Sequence, residues 1–211
     1  MKRNIMKKIF AVLAVVLLLV GCVKENENTN GNKTVEKVDY KKAIVIYFSR
    51  AGENYNVGTV DTGNTAMMAS YVKEYLNADS FEIVPKVPYP SKYNEAKDIA
   101  NKELEEKARP EILYELNNLE EYDTIFLGYP IWCNDMPMII YTFIETYDLS
   151  GKTIIPFNTH EGSGNAGTFT KLSNILKNSN VNKKGLSLTG KTARTQKGKE
   201  QTIEWLKSLG Y

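Results

Sequence analysis

The pattern of apolar and polar positions divides the chain into three stretches. Residues 9–20 are an unbroken apolar run preceded by Lys2, Arg3, Lys7 and Lys8. Residues 23 to about 40 are nearly all polar, with no apolar period. From residue 41 to residue 211, short apolar runs alternate with amphipathic ones, and this is the stretch predicted to fold.

Within it, residues 43–48 form a β-branched apolar run that ends at Ser49. Residues 64–77 carry Met67, Met68, Tyr71, Val72 and Tyr75 at helical spacing. Residues 81–84 predict a short strand stopped by Pro85. Residues 91–107 place Tyr93, Ala96, Ile99, Ala100 and Leu104 near one helical face. A buried strand over 124–129 stops at Pro130, and Pro137 opens a helix to about residue 147, proline being favoured in a first helical turn. Residues 152–157 predict another central strand, followed by a helix over 165–178, a strand over 184–188 and a closing helix over about 196–208. Strands apolar on both faces and alternating with helices define a parallel sheet covered on both sides. In a doubly wound three-layer α/β domain of this kind, ligands bind at the carboxyl ends of the strands, beside the switch in strand order. That directs attention to the loops after Phe48, Tyr129 and Phe157.

The N-terminal run is too short to span a bilayer, which needs about 20 apolar residues. With its basic flank it reads as the apolar core of a secretory signal. Leu19-Val20-Gly21-Cys22 resembles a bacterial lipobox, in which the cysteine is acylated and becomes the first residue. The expected organisation is a lipoprotein signal peptide over 1–21, a flexible tether over 22–40 and one folded domain over 41–211. The protein is then exported and anchored to the cell membrane through lipid on Cys22, the two acyl chains giving stable attachment.

Composition narrows the chemistry. The 211 residues carry 27 Lys+Arg against 25 Asp+Glu, a net charge of +2. The leader holds four cations and no acid, so its removal takes the net charge from +2 to −2. No nucleic-acid partner is expected from that balance. One histidine and two cysteines argue against zinc centres, iron–sulfur clusters and a disulfide framework. No metal is expected.

Each of the three loops has its own chemistry. The first starts at Ser49-Arg50 and ends at Thr62-Gly63-Asn64-Thr65, where a helix begins. Hydroxyls and a glycine at a helix N-terminus suit an anion, and without a P-loop lysine or a G-x-G-x-x-G they suit a monophosphate. Helix capping by Thr62 or Asn64 is the plainer alternative. The second loop, Pro130-Ile131-Trp132-Cys133-Asn134-Asp135-Met136-Pro137, puts an indole after a buried strand, where it can stack on a flat ring or pack on a neighbouring helix. The third contains Thr159, His160, Gly162, Ser163, Gly164 and Gly167, and its glycines let backbone approach a ligand. His160 and Ser163 invite a hydrolase reading, but no G-x-S-x-G elbow is present.

In order, these segments resemble the flavodoxin family. The resemblance rests on Tyr47-Phe48-Ser49-Arg50, Pro88-Tyr89-Pro90, Ala108-Arg109-Pro110-Glu111, Leu127-Gly128-Tyr129-Pro130-Ile131-Trp132 and the long run from Gly151 through Gly164. It covers nearly all of residues 42–210. It implies a five-stranded parallel sheet in the order 2-1-3-4-5 with helices on both faces, and FMN as cofactor. By position, Ser49, Arg50, Gly63, Asn64 and Thr65 would hold the phosphate. Pro130, Ile131, Trp132 and Cys133 would flank the isoalloxazine, with Trp132 stacking, and Thr159, His160, Gly162, Ser163 and Gly164 would line the other side. Two departures stand out. The usual compact Ser-Arg-x-Gly-Asn-Thr motif is split here by residues 51–61, and Cys133-Asn134 follow Trp132 where relatives often carry Gly or Trp.

The function this implies is electron transfer by a membrane-tethered FMN protein, with a redox partner protein or a small electron acceptor. In that reading the cofactor does the redox chemistry and no side chain is required as an acid or base. The alternative is an NAD(P)H-dependent FMN oxidoreductase acting on quinone-like acceptors. A third reading is a non-redox binding module that kept the fold.

Overall fold

The computed structural model describes residues 42–211. The predicted signal peptide, the tether and Cys22 lie outside the described residues. Among the described residues, no helix is long and apolar enough to cross a membrane.

The first strand, β1 (Ala43–Tyr47), is followed by a short antiparallel hairpin of β2 (Gly52–Asn54) and β3 (Gly58–Val60). Helix α1 (Asn64–Leu76) leads to β4 (Asp79–Glu82), and α2 (Tyr93–Glu106) leads through a 3₁₀ turn (Leu119–Glu121) to β5 (Thr124–Pro130). Then come α3 (Met138–Thr146), β6 (Thr153–His160), α4 (Thr168–Ile175), β7 (Asn180–Val181) and β8 (Leu186–Thr189). The short α5 (Gly190–Ala193) and α6 (Gln196–Ser208) close the chain.

The main sheet is parallel and runs β4-β1-β5-β6, with both β7 and β8 alongside β6. In chain order this is the expected 2-1-3-4-5, except that the fifth position is split. Asn180 and Val181 pair with the start of β6, whereas Leu186–Thr189 pair with Phe157–His160 at its end. The predicted strand at 81–84 also sits two residues earlier, over Asp79–Glu82. Beyond it the chain keeps one ladder bond to β1 (Ile83 N to Tyr47 O, 2.7 Å) and then turns to pair with residues 111–113.

The alternation along the strands sorts the core into two faces. Ile44, Ile46, Phe48, Ile125, Leu127, Tyr129 and Ile154 pack with Ile139, Ile140, Phe143 and Ile144 of α3 and with Phe169 and Leu172 of α4. Val45, Phe126, Ile155, Phe157 and Leu188 pack with Met68, Ala69 and Val72 of α1 and with Ala193, Trp205 and Leu206 of α5 and α6. Each fully buried aliphatic or Phe side chain stabilises by about 1.5–3 kcal/mol, so these two layers hold the carboxyl ends of β1, β5 and β6 rigidly side by side.

Candidate functional site

The loops after β1, β5 and β6 meet in one cleft at that end of the sheet. Counting the open space at its mouth, the cleft has a volume of about 780 Å³. Of the residues singled out from sequence, Ser49, Arg50, Asn64, Thr65, Pro130, Ile131, Trp132, Cys133, Thr159 and His160 line it. Gly63, Gly162, Ser163 and Gly164 do not.

One end of the cleft is the start of α1. Gly63 is its N-cap and has no side chain to cap it, and no acid stands in its first turn. Its partial positive charge is therefore open to an anion. Gly63 contributes by being small. A Cβ there would lie 2.2 Å from Ser49 Oγ and 2.6 Å from the Arg50 carbonyl oxygen. Ser49 Oγ accepts the Ala66 N–H at 3.0 Å, which leaves its own O–H free to donate. Thr65 and Thr159, both buried, share one hydrogen bond between hydroxyls at 2.8 Å, so one further O–H remains for a ligand. This donor set fits a monophosphate.

Arg50 is placed differently from the expectation. Its guanidinium donates to the carbonyls of Pro90 (2.9 Å), Ser91 (3.1 Å) and Glu53. Its cation staples the hairpin to the loop before α2, and burial lowers its pKa. The hairpin is the inserted segment 51–61. Glu53 N–H donates to the Ser91 carbonyl at 2.7 Å, and the Glu53 carboxylate accepts the Tyr93 N–H at the start of α2 at 3.1 Å. Gly52, at φ +91°, has backbone of Ser91 2.6 Å from where a Cβ would stand.

The middle of the cleft is the loop after β5. Trp132 sits edge-on to Phe48 (5.3 Å, 85°) and to Tyr89 (4.9 Å, 87°). The Tyr89 hydroxyl in turn donates to Glu103 of α2 (2.8 Å). Trp132 and Asp135 exchange two backbone hydrogen bonds (2.9 and 2.8 Å) around Cys133 and Asn134, at φ 51° and 59°. That is a two-residue turn with both central residues left-handed, a geometry in which Asn is at home and Cys is not. Asp135 is 8% exposed and holds the turn. Its carboxylate accepts from Met136 N (2.8 Å), Tyr141 Oη (3.0 Å) and Lys171 Nζ (2.5 Å). The Cys133 thiol donates to Asn101 Oδ1 at 2.9 Å, and burial pushes its pKa up, away from thiolate chemistry.

At the loop after β6, the glycine amides are turned to the histidine instead of the cleft. Gly162 N–H and Gly164 N–H both donate to His160 Nδ1, at 2.9 and 3.1 Å. With Nδ1 accepting, the neutral ring carries its proton on Nε2. Burial lowers the imidazole pKa in the same sense.

The opposite wall was not legible in the sequence: it comprises Asn54 and Tyr55 at the hairpin tip and Tyr93, Ala96, Lys97 and Ala100 on one face of α2. Glu161 also lines the cleft. Its carboxylate accepts the Gly190 N–H at 3.0 Å, and burial raises its pKa. Among the described residues, no group of acids, His or Cys is arranged to hold a metal ion.

Fold and cleft together define a doubly wound α/β protein with an anion seat at one strand end and an indole beside it. Residues 42–209 match the profile of the family described as Flavodoxin, and the chain belongs to the flavodoxin family. Solved structures agree. A protein from Bacteroides eggerthii, provisionally named a flavoprotein, is 30% identical, with a TM-score of 0.64, over 81% of this chain and 99% of its own. Another with the same provisional name, from Bacteroides uniformis, is 31% identical over 79% of this chain and 98% of its own, with a TM-score of 0.63. A flavoprotein from Lactobacillus acidophilus, solved in complex with FMN, shares the fold at 21% identity, with a TM-score of 0.54, over 72% of this chain and 95% of its own. No curated protein sequence matches the chain.

Proposed function

We propose that the domain binds FMN in this cleft and transfers electrons, held at the outer face of the cell membrane by lipid on Cys22. The observation that carries the reading is the α1 terminus, with glycine as its cap and no acid in its first turn, beside the spare hydroxyl donors of Ser49 and of the Thr65–Thr159 pair and next to an indole. Bound FMN would supply the redox chemistry. Ser49, Thr65 and the first amides of α1 hold the phosphate, with Asn64 beside them and Gly63 leaving the room they need. Trp132, with Pro130, Ile131 and Cys133, lies along the ring system, and Thr159 and His160 close the other side. The neutral His160 offers Nε2–H as a donor and adds no positive charge to the cleft.

FMN retention by the purified protein tests this reading. A yellow protein carrying one FMN per chain supports it, and a colourless protein that takes up no added FMN rejects it. The alternative, an NAD(P)H-dependent FMN oxidoreductase acting on quinone-like acceptors, is favoured by one feature: the cleft has a second aromatic wall that no part of the phosphate seat uses. Steady-state NADPH oxidation with an added quinone, measured beside photoreduction, separates an enzyme from a carrier.

A further inference from the structure

The inserted hairpin builds a wall facing the residues assigned to the flavin. Its tip places the Tyr55 ring against Tyr93 of α2, stacked at 5.6 Å and 29°. Tyr55 remains 53% exposed at the rim of the cleft. One and two helical turns on from Tyr93, Ala96 and Ala100 present a small-residue floor, and Lys97 stands beside them. Among the described residues, Lys97 forms no ion pair with any acid. Its charge reaches the Cys133 thiol, which is hydrogen-bonded to Asn101 one turn further along α2, and acts there against the upward push of burial. The wall is not a loose flap, because Arg50, Gly52 and Glu53 fasten the hairpin to the loop before α2. A stacked aromatic pair with the Tyr55 ring exposed and Tyr93 half-buried, a small-residue floor and a cation without an ion-pair partner in one cleft match a flat ring carrying negative charge. The ring would stack on tyrosine, and the anion would meet the ammonium.

We propose that Tyr55, Tyr93 and Lys97 form a second binding site in this cleft, for a small planar aromatic anion that lies beside the bound flavin. The assignment rests on the reading of the cleft as a flavin site, and visible absorbance of retained FMN tests that reading by itself. The second site is tested by calorimetry on the detergent-purified full chain, with naphthalene-2-sulfonate as the planar anion and the uncharged 2-naphthyl methyl sulfone as control. The expected result is one saturable sulfonate site on the FMN-loaded protein, weakened by added salt as for any partly exposed charge pair. Lys97→Met should weaken sulfonate about tenfold and leave the sulfone unchanged, a loss corresponding to one charge-assisted contact. Tyr55→Leu should weaken both ligands while FMN content stays the same. Both side chains are exposed, so neither change threatens the fold. Absence of saturable binding, displacement of the sulfonate by FMN, or an affinity indifferent to Lys97→Met overturns the proposal. Loss of FMN in Tyr55→Leu with unaltered sulfonate binding would assign the wall to the flavin instead.

Discussion

At the scale of single residues, the phosphate seat depends on hydroxyls with one donor left over. Ser49→Ala combined with Thr65→Ala removes the Ser49 donor and one hydroxyl of the Thr65–Thr159 pair but leaves the ring contacts. Hydrogen bonds to charged groups contribute about 1.5–3 kcal/mol each, so FMN affinity should fall at least about tenfold while riboflavin affinity changes little. Paired fluorescence titrations check this, and equal losses for the two ligands would misplace the phosphate. Gly63→Ala should be more severe, since its methyl would strike Ser49 Oγ and the Arg50 carbonyl. An overpacked position costs about 1–3 kcal/mol, read as a lower midpoint in urea, and FMN binding should be lost with it. His160 is the single histidine, so its ring signals are unambiguous. Nitrogen-15 spectra should show protonated Nε2, bare Nδ1 and a pKa below 6.5. Between that lowered value and the ordinary value of about 6.5, the unfolded chain binds more protons than the folded one. His160 therefore contributes stability above pH ~6.5 that is lost as pH falls through the folded pKa. Glu82, Glu103 and Glu161 have raised pKa values and push the other way, so the check is the difference between wild-type and His160→Gln melting curves across that window.

At the scale of elements, what could be read from the sequence follows the strength of each local signal. The central strands were legible because β5 and β6 are apolar on both faces, a pattern that amphipathic helices do not produce. The start of α1 was legible because its period begins at Asn64. Hairpin β2–β3 was not. Its strands Gly-Glu-Asn and Gly-Thr-Val are three residues each and hardly alternate, and they are held by contacts with residues 90–93 that are distant in sequence. The split fifth strand was missed for a similar reason, since β7 has only two residues and no apolar run of its own. The glycines after β6 read as ligand contacts because a sequence does not show that His160 will occupy their amides. Arg50 is the most useful test at this scale. As a staple, its replacement by Ala should speed amide exchange at the hairpin tip and weaken FMN and riboflavin alike. As a phosphate ligand, it would affect FMN alone. Its bonds to three carbonyls favour the first outcome.

At the scale of the whole molecule, the parts divide the labour. Two apolar layers fix the strand ends, three loops make the inner wall, and an insertion in the first loop with one face of α2 makes the outer one. Anchoring is an expectation from residues 1–22 and has its own check: Cys22→Ser should abolish incorporation of labelled palmitate and release the protein from the membrane fraction. If the cleft is an FMN site built around its phosphate, the phosphate must matter to binding. The most direct measurement is titration of flavin fluorescence with the purified protein, FMN and riboflavin side by side. Strong quenching of FMN at one equivalent and clearly weaker binding of riboflavin are the expected result. Unquenched FMN at saturating protein, or riboflavin bound as tightly as FMN, would contradict it.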